Sequence, residues 1–478
     1  MAPLRGARLH RSAAIRHTGS DPARGSTLPG SRALWTARVR ASGSMIRLGL
    51  PLASALLALA LTAGGSPAQE PPVARHVLSN GLTVLVREND AAGVVAISLQ
   101  VRAGSRFETE STAGITNFLH RAMLRGTARR TAVQLATSSE DIGGSLDASG
   151  EVESAEVRGQ ALSVHWETLL ALVAEVALQP TLPPDEIEKE RRLLLGQIKA
   201  RADAPLSFSF DAMLRELYGS SPYGRSHLGS KESIERLTRD DLLAHYRAIY
   251  QPGRMVLAVS GQVERPRVIK TAERLFGRMA RSGSDTQVAP PVTEPSGERR
   301  VILRPAQQAQ ILVGYLGPSL SDPLYPAVRV LAAALGGGMA GRLFVELRDQ
   351  RGLAYSTGVF TPYRTGPVSF VAYLGTAPAT ATAAEAGILR ELERVREAPV
   401  SGDELARAKA YVRGLLVMDR RTNARVVWYL AFFETIGAGW DFPDRYARAL
   451  EAVTAADVAR AAERYLKRPS IVVLQPTR

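Results

Sequence analysis

A chain of 478 residues is too long for one ordinary hydrophobic core and about right for two domains. Its 45% hydrophobic and 22% charged residues exclude a largely disordered protein, and the absence of cysteine excludes disulfides and thiolate chemistry. The formal charge of +14 is no signature of nucleic-acid binding: residues 1–68 hold nine Arg against one acid, Asp21, and the rest carries 51 basic and 45 acidic residues.

That first segment reads as a leader. Met45-Ile46-Arg47 opens a short basic region, Leu48–Ala63 is an apolar run, and Ser66 and Ala68 occupy the small-residue positions of a cleavage site. Sixteen apolar residues are few for a transmembrane helix. The expectation is a signal peptide over 45–68, with Met45 as the start and residues 1–44 a mis-called extension. The mature chain would be exported to the periplasm or another extracytoplasmic space, with no stable membrane anchor. An Arg-rich, acid-poor organellar transit peptide is the rival reading, and a retained anchor is another.

Beyond the leader, "HVLSNGLTVLVREN" predicts a hairpin, with alternating apolar residues flanking the turn pair Asn80-Gly81. "VVAISLQVRAGS" predicts a strand, Ser111 to Arg125 and Thr131 to Ile142 predict helices, and short strands are expected around Ser145–Ser149 and Ser154–Leu162. Val164–Leu178 and Pro184–Ala200 are long amphipathic patterns separated by Pro183-Pro184. Thr238–Tyr250 predicts a helix and "RMVLAVSG" a buried strand. Residues 282–297, "SGSDTQVAPPVTEPSG", are rich in Pro, Ser and Gly and lack apolar periodicity, which marks a linker.

The second half echoes the first. "PPDEIEKERRLLLGQI" returns as "VSGDELARAKAYVRGLL", aligning Asp185 with Asp403. "LTRDDLLAHYRAIYQPGRMVLAVSG" returns as "VTAADVARAAERYLKRPSIVVLQP", aligning Asp241 with Asp457 at nearly the same offset. Duplicated domains over 73–281 and 298–478 follow, of α+β class because strands and helical hairpins do not alternate regularly.

Chemistry is expected at "GITNFLHRAMLRGT", Gly114–Thr127. Residues i, i+3 and i+4 of a helix share one face, where a zinc peptidase places two His ligands and a Glu base. The flanks of this segment resemble those of the insulinase/pitrilysin family of inverted-motif (H-x-x-E-H) zinc peptidases, roughly "GlaHFLEHmlfrGT". "DIGGSLDASGEVESAEVRGQAL" and "SPYGRSHLGSKESIERLTRDDLLAHYRAIYQPGRMVLAVSG" are similar to further family segments in the same order, and the resemblance runs from Val73 to Pro476. It implies two duplicated α/β-sandwich domains of the insulinase/mitochondrial processing peptidase type.

In that alignment the first ligand position holds Asn117, the catalytic Glu position His120 and the second ligand position Arg121. The third, seven residues after the Glu of the pair Glu190-Arg191, holds Gln197. Amides are weak zinc ligands, a guanidinium repels a divalent ion, and no carboxylate remains to activate water. His120 could instead join another metal site, but His76, His165, His227 and His245 are not spaced to chelate beside it. The chain is therefore expected to hold no metal and to be inactive alone.

"LGGGMAGRLFVELRDQRGLAYSTGVFTPY" carries Arg348 and Tyr355, seven residues apart, matching an Arg/Tyr pair that reaches substrate in the family. Their residue types alone also fit a solvated helix residue at Arg348 and a strand core residue at Tyr355. Gly336-Gly337-Gly338 suits either a helix C-cap or close approach of a peptide. Some bacterial and mitochondrial members of the family work as two-chain enzymes, one chain with the zinc motif and one without. The resemblance thus implies a zinc-less subunit of a heterodimeric metalloendopeptidase. Its partner would be a homologous subunit bearing the zinc, and its substrates extended or unfolded peptides that pair with an edge strand; the matching segment near Asp147–Glu156 could retain such an edge or be a plain internal strand. A non-enzymatic peptide-binding or scaffold protein on the same fold is the alternative.

Overall fold

The computed structural model describes residues 72–281, 291–295 and 297–477. The expected extension and signal peptide lie outside the described residues, as does most of the expected linker.

The chain opens on the expected hairpin of β1 (Val73–Val77) and β2 (Thr83–Glu88). Asn80 shapes its turn: Oδ1 accepts from the Leu82 amide at 3.2 Å, Nδ2 donates to the Phe276 carbonyl at 2.9 Å, and Gly81 takes φ 99°. Then follow β3 (Val94–Val101), α1 (Ile115–Met123), α2 (Ala132–Glu140), β4 (Ser145–Gly150) and β5 (Ala155–Leu162). The half continues with α3 (Trp166–Leu178), α4 (Pro184–Asp203), α5 (Pro205–Tyr218), α6 (Lys231–Arg236) and α7 (Arg239–Ile249), and closes with β6 (Met255–Gly261) and α8 (Arg265–Phe276). Its sheet runs β1-β2-β6-β3-β5-β4, with β2 and β6 parallel.

The second half repeats the plan: β7 (Arg299–Pro305), β8 (Ala309–Leu316), α9 (Tyr325–Gly336), a π-helical turn over Phe344–Gln350, β9 (Ser356–Phe360) and β10 (Ser369–Thr376). Helices α10 (Ala381–Glu397), α11 (Gly402–Asp419), α12 (Asn423–Thr435), α13 (Phe442–Ala452) and α14 (Ala455–Tyr465) precede β11 (Ser470–Thr477). The sheet order β7-β11-β8-β10-β9 reproduces β2-β6-β3-β5-β4, including the parallel first pair. The duplication reaches the helix caps. Thr238 with Asp241 and Thr454 with Asp457 form the same capping box at the starts of α7 and α14.

The expected helix from Ser111 to Arg125 begins only at Ile115. Gly114 takes φ 86°, and the buried Glu108 carboxylate accepts from the amides of Gly114 at 2.7 Å and Thr116 at 3.0 Å, capping α1 from outside.

Each half covers one face of its sheet with its own helices and the other with a helix of its neighbour. On α5, Ala212, Met213 and Leu217 pack against Leu312, Val371 and Val472 of the second sheet. On α12, Val426, Val427, Leu430 and Ala431 pack against Leu85, Ala96, Val256 and Ala258 of the first. The exchange explains why β6 is buried at every position and β3 at all but its first: both faces of these strands are covered.

A converted metal position and an exposed Arg/Tyr pair

Asn117 and Arg121 lie one turn apart on α1, and Gln197 reaches them from α4. Asn117 is buried; its Nδ2 donates to the carbonyl of Gly150 at 3.0 Å, tying α1 to the end of β4, and its Oδ1 has no partner. Arg121 donates from Nη1 to Gln197 Oε1 at 3.0 Å and from Nε to Glu190. Glu190 is fully buried, and its other carboxylate oxygen accepts from Arg125 Nε at 2.7 Å and also from Arg125 Nη2.

The two outer metal-ligand positions thus still converge, but on each other. The zinc implied by the resemblance does not fit these residues. A guanidinium stands between Glu190 and Gln197, and the one nearby carboxylate is held by two arginines. Among the described residues no group of three or more His, Cys, Asp or Glu is placed to hold a metal ion. Sequence reasoning used Glu190 only as a landmark for Gln197. Its role as the shared anion of Arg121 and Arg125 was missed, although two arginines four residues apart in the expected helix were a signal that a carboxylate stands opposite.

His120, at the position of the catalytic base, is fully buried. Its Nδ1 lies 2.7 Å from the Thr116 carbonyl, which can only accept, so Nδ1 carries the proton and Nε2 accepts from the Tyr250 hydroxyl at 2.9 Å. Burial lowers its pKa to about 4, against the raising effect of the Thr116 bond. His245 donates to or accepts from Thr116 Oγ1 at 3.0 Å, and burial, then the neighbouring His120, lowers its pKa to about 4. His120 is a neutral core residue with no access to a water that it could activate.

Strand β4 is outermost in its sheet. The amide of Glu151 donates to the Ser154 carbonyl, which fixes the phase of the β4–β5 ladder and turns the peptide groups of Leu146, Ala148 and Gly150 away from β5. The Gly150 carbonyl meets Asn117, and the Ala148 amide meets the Asp147 carboxylate at 2.9 Å. Among the described residues no strand pairs with the other peptide groups on this edge.

In the second half, the amides of Leu353 and Ala354 both donate to the Leu347 carbonyl, which folds the chain back between Arg348 and Tyr355. Both side chains are exposed, Tyr355 to 59%. The Arg348 guanidinium lies 4.9 Å from the Phe344 ring centre, and neither side chain makes a hydrogen bond or ion pair among the described residues. None links them to α1 or α4. Tyr355 immediately precedes β9, the outermost strand of the second sheet and the counterpart of β4. Gly336 ends α9, Gly337 caps it and Gly338 takes φ 70°, while a Cβ on Gly336 would fall 2.4 Å from the Val359 amide nitrogen. The glycines thus close the turn from α9 and let it pack on β9.

Residues 83–231 match the family profile of insulinase (peptidase family M16), and residues 236–412 that of the peptidase M16 inactive domain. The chain belongs to the M16 insulinase family. An "uncharacterized zinc protease" of Rickettsia bellii is 29% identical to this M16 chain over 390 residues, spanning 81% of it and 93% of that protein. A protein of the same description from Mycobacterium leprae is 34% identical over 289 residues, 59% of this chain and 64% of its own. Two solved structures share the M16 fold. A protease from Helicobacter pylori has TM-score 0.80 at 21% identity, covering 85% of this chain and 100% of that one. A peptidase M16 inactive domain from Pseudomonas fluorescens has TM-score 0.78 at 23% identity, covering 85% and 98%.

Proposed function

We propose that this chain is the zinc-less subunit of a two-chain M16 metalloendopeptidase working in an extracytoplasmic compartment. The observation that carries the reading is a division of groups. The metal position is filled by the Arg121 guanidinium, bonded to Glu190 and Gln197, while Arg348 and Tyr355 stand exposed and without polar partners. A homologous subunit supplies the zinc and the base. Arg348 donates to a carbonyl or carboxylate of the bound peptide, and the Tyr355 hydroxyl donates to the oxygen that gains charge as the peptide bond is attacked. The outermost strands β4 and β9 suit pairing with extended peptides, which requires little sequence preference.

The test is affinity purification from the native host, with a tag following Arg478, and a zinc-dependent peptide-cleavage assay on the eluate. Co-purification of an M16 chain with an intact zinc motif, and cleavage that Arg348→Ala removes while the two chains stay together, supports the reading. A chain that purifies alone, metal-free and inert, returns the protein to the peptide-binding or scaffold class.

A further inference from the structure

The place where the family holds a metal is not blank in this chain: it has become a receptor of the opposite sign. Around Glu190, one carboxylate faces two guanidinium groups, so a unit of positive charge is left over. Glu190 is out of reach of solvent, whereas the Arg121 side chain is 23% exposed. Arg121 uses Nε on Glu190 and Nη1 on Gln197, and its Nη2 has no partner among the described residues. Gln197 is exposed; its Oε1 accepts from Arg121, which leaves the Nε2 donor free. Two unused N–H donor groups, one cationic, thus belong to side chains held 3.0 Å apart by their shared hydrogen bond. A carboxylate presents two coplanar oxygens with matching acceptors, and charge-assisted bonds to guanidinium are among the stronger ones available.

The surroundings narrow the ligand. Arg121 stands one helical turn, about 5 Å, along α1 from Asn117, and Asn117 is bonded to the last residue of the outermost strand β4. The guanidinium thus belongs to the helix bonded to the end of that strand, where a peptide laid along β4 would bring its own groups near α1. We infer that the converted metal position, Arg121 with Gln197, binds a carboxylate of an extended peptide seated on β4. The carboxylate comes either from the chain end or from an acidic side chain. The inference rests on the proposed function only in taking peptides as the ligand; it needs neither zinc nor the second subunit.

The test uses the full mature chain and three extended peptides of one sequence without acidic residues, each labelled with a neutral fluorophore at the N-terminus. One ends in a carboxylate, one in a carboxamide, and one in a carboxamide with a single Asp introduced. Fluorescence anisotropy at low salt is expected to show about tenfold or tighter binding of at least one carboxylate-bearing peptide over the neutral one. A gain for the first alone assigns the chain end, and a gain for the Asp peptide assigns acidic side chains. Gln197→Glu places a competing carboxylate on Arg121 at an exposed position. It is expected to abolish the preference, with circular dichroism checking that the variant is folded. Equal binding of all three peptides, no binding of any, or a preference that survives Gln197→Glu overturns the inference. The cleavage assay with Arg348→Ala is independent, so failure here leaves the proposed function standing and failure there leaves this one.

Discussion

Glu190→Gln tests whether an ion-pair fork now joins the helices that a metal would otherwise join. The wild-type carboxylate is fully buried and accepts from Arg121 and Arg125, whose side chains are 23% and 35% exposed. Removing one partner of a fully buried pair costs about 3–5 kcal/mol, chiefly because a charge is left without compensation. Here the orphaned charges are the two guanidinium groups, each partly in water, and the amide keeps one acceptor. The expected loss is therefore lower, about 2–3 kcal/mol. Arg121→Gln alone leaves Arg125 on the carboxylate and is expected to cost about 1 kcal/mol. Because the second change removes a charge that the first has already orphaned, the double variant should be at least about 1 kcal/mol more stable than the sum predicts. Urea denaturation at pH 7, monitored by tryptophan fluorescence and by circular dichroism, measures all three. Additive losses, or a Glu190→Gln loss below about 0.5 kcal/mol, would refute the view that this fork ties α1 to α4.

Other expectations follow from the same neighbourhood and from the second half. Tyr250→Phe strips His120 Nε2 of its only donor and should cost about 1–3 kcal/mol, without reducing cleavage by a reconstituted complex; a drop in turnover at unchanged assembly would return His120 to the site. His120 is held neutral, with a folded pKa of about 4 against 6.5 unfolded, so the unfolded chain takes up its proton first on acidification. Its contribution to stability is greatest above pH 6.5 and falls towards pH 4. The stability difference between wild type and His120→Asn should therefore shrink by about 2 kcal/mol from pH 7.5 to 5, with the buried Glu108 and Glu156 common to both proteins; a constant difference contradicts the assignment. In the proposed two-chain enzyme, Arg348→Ala or Tyr355→Phe should lower kcat/KM by about 100-fold or more with the complex intact on gel filtration, and an unchanged rate removes the pair from the proposed mechanism. Met213→Ala, on α5 but buried against the second sheet, should cost about 2–4 kcal/mol and shift the unfolding of both halves together, whereas two separate transitions would contradict the exchanged packing.

The sequence was most informative where a local rule and a repeat agreed. Asn80-Gly81 marked the first hairpin, and the twin Thr-x-x-Asp starts at Thr238 and Thr454 marked equivalent helices in the two halves. It was silent on α5, and on what covers the back of each sheet, because Met213 and Leu430 face strands of the opposite half and no local pattern names that partner. Asn117, Arg121 and Gln197 were found through the family resemblance, and their residue types argued against a metal. What the sequence could not supply was Glu190, whose meaning depends on Arg121 and Arg125 meeting it across a helix–helix contact. By residue type alone Arg348 read as a solvated helix residue and Tyr355 as a strand core residue; the folded chain places both in solvent beside β9.

The traded helices also limit how this molecule can move. A chamber that admits a peptide and then encloses it must open somewhere, and a hinge needs a seam across which little is packed. Between the two halves of this chain there is no such seam: separating them would pull α5 off the second sheet and α12 off the first, exposing Leu312, Val371, Leu85 and Val256 together. The two halves would then move as one body, and in the proposed two-chain enzyme any opening around a peptide would fall where this chain meets its partner.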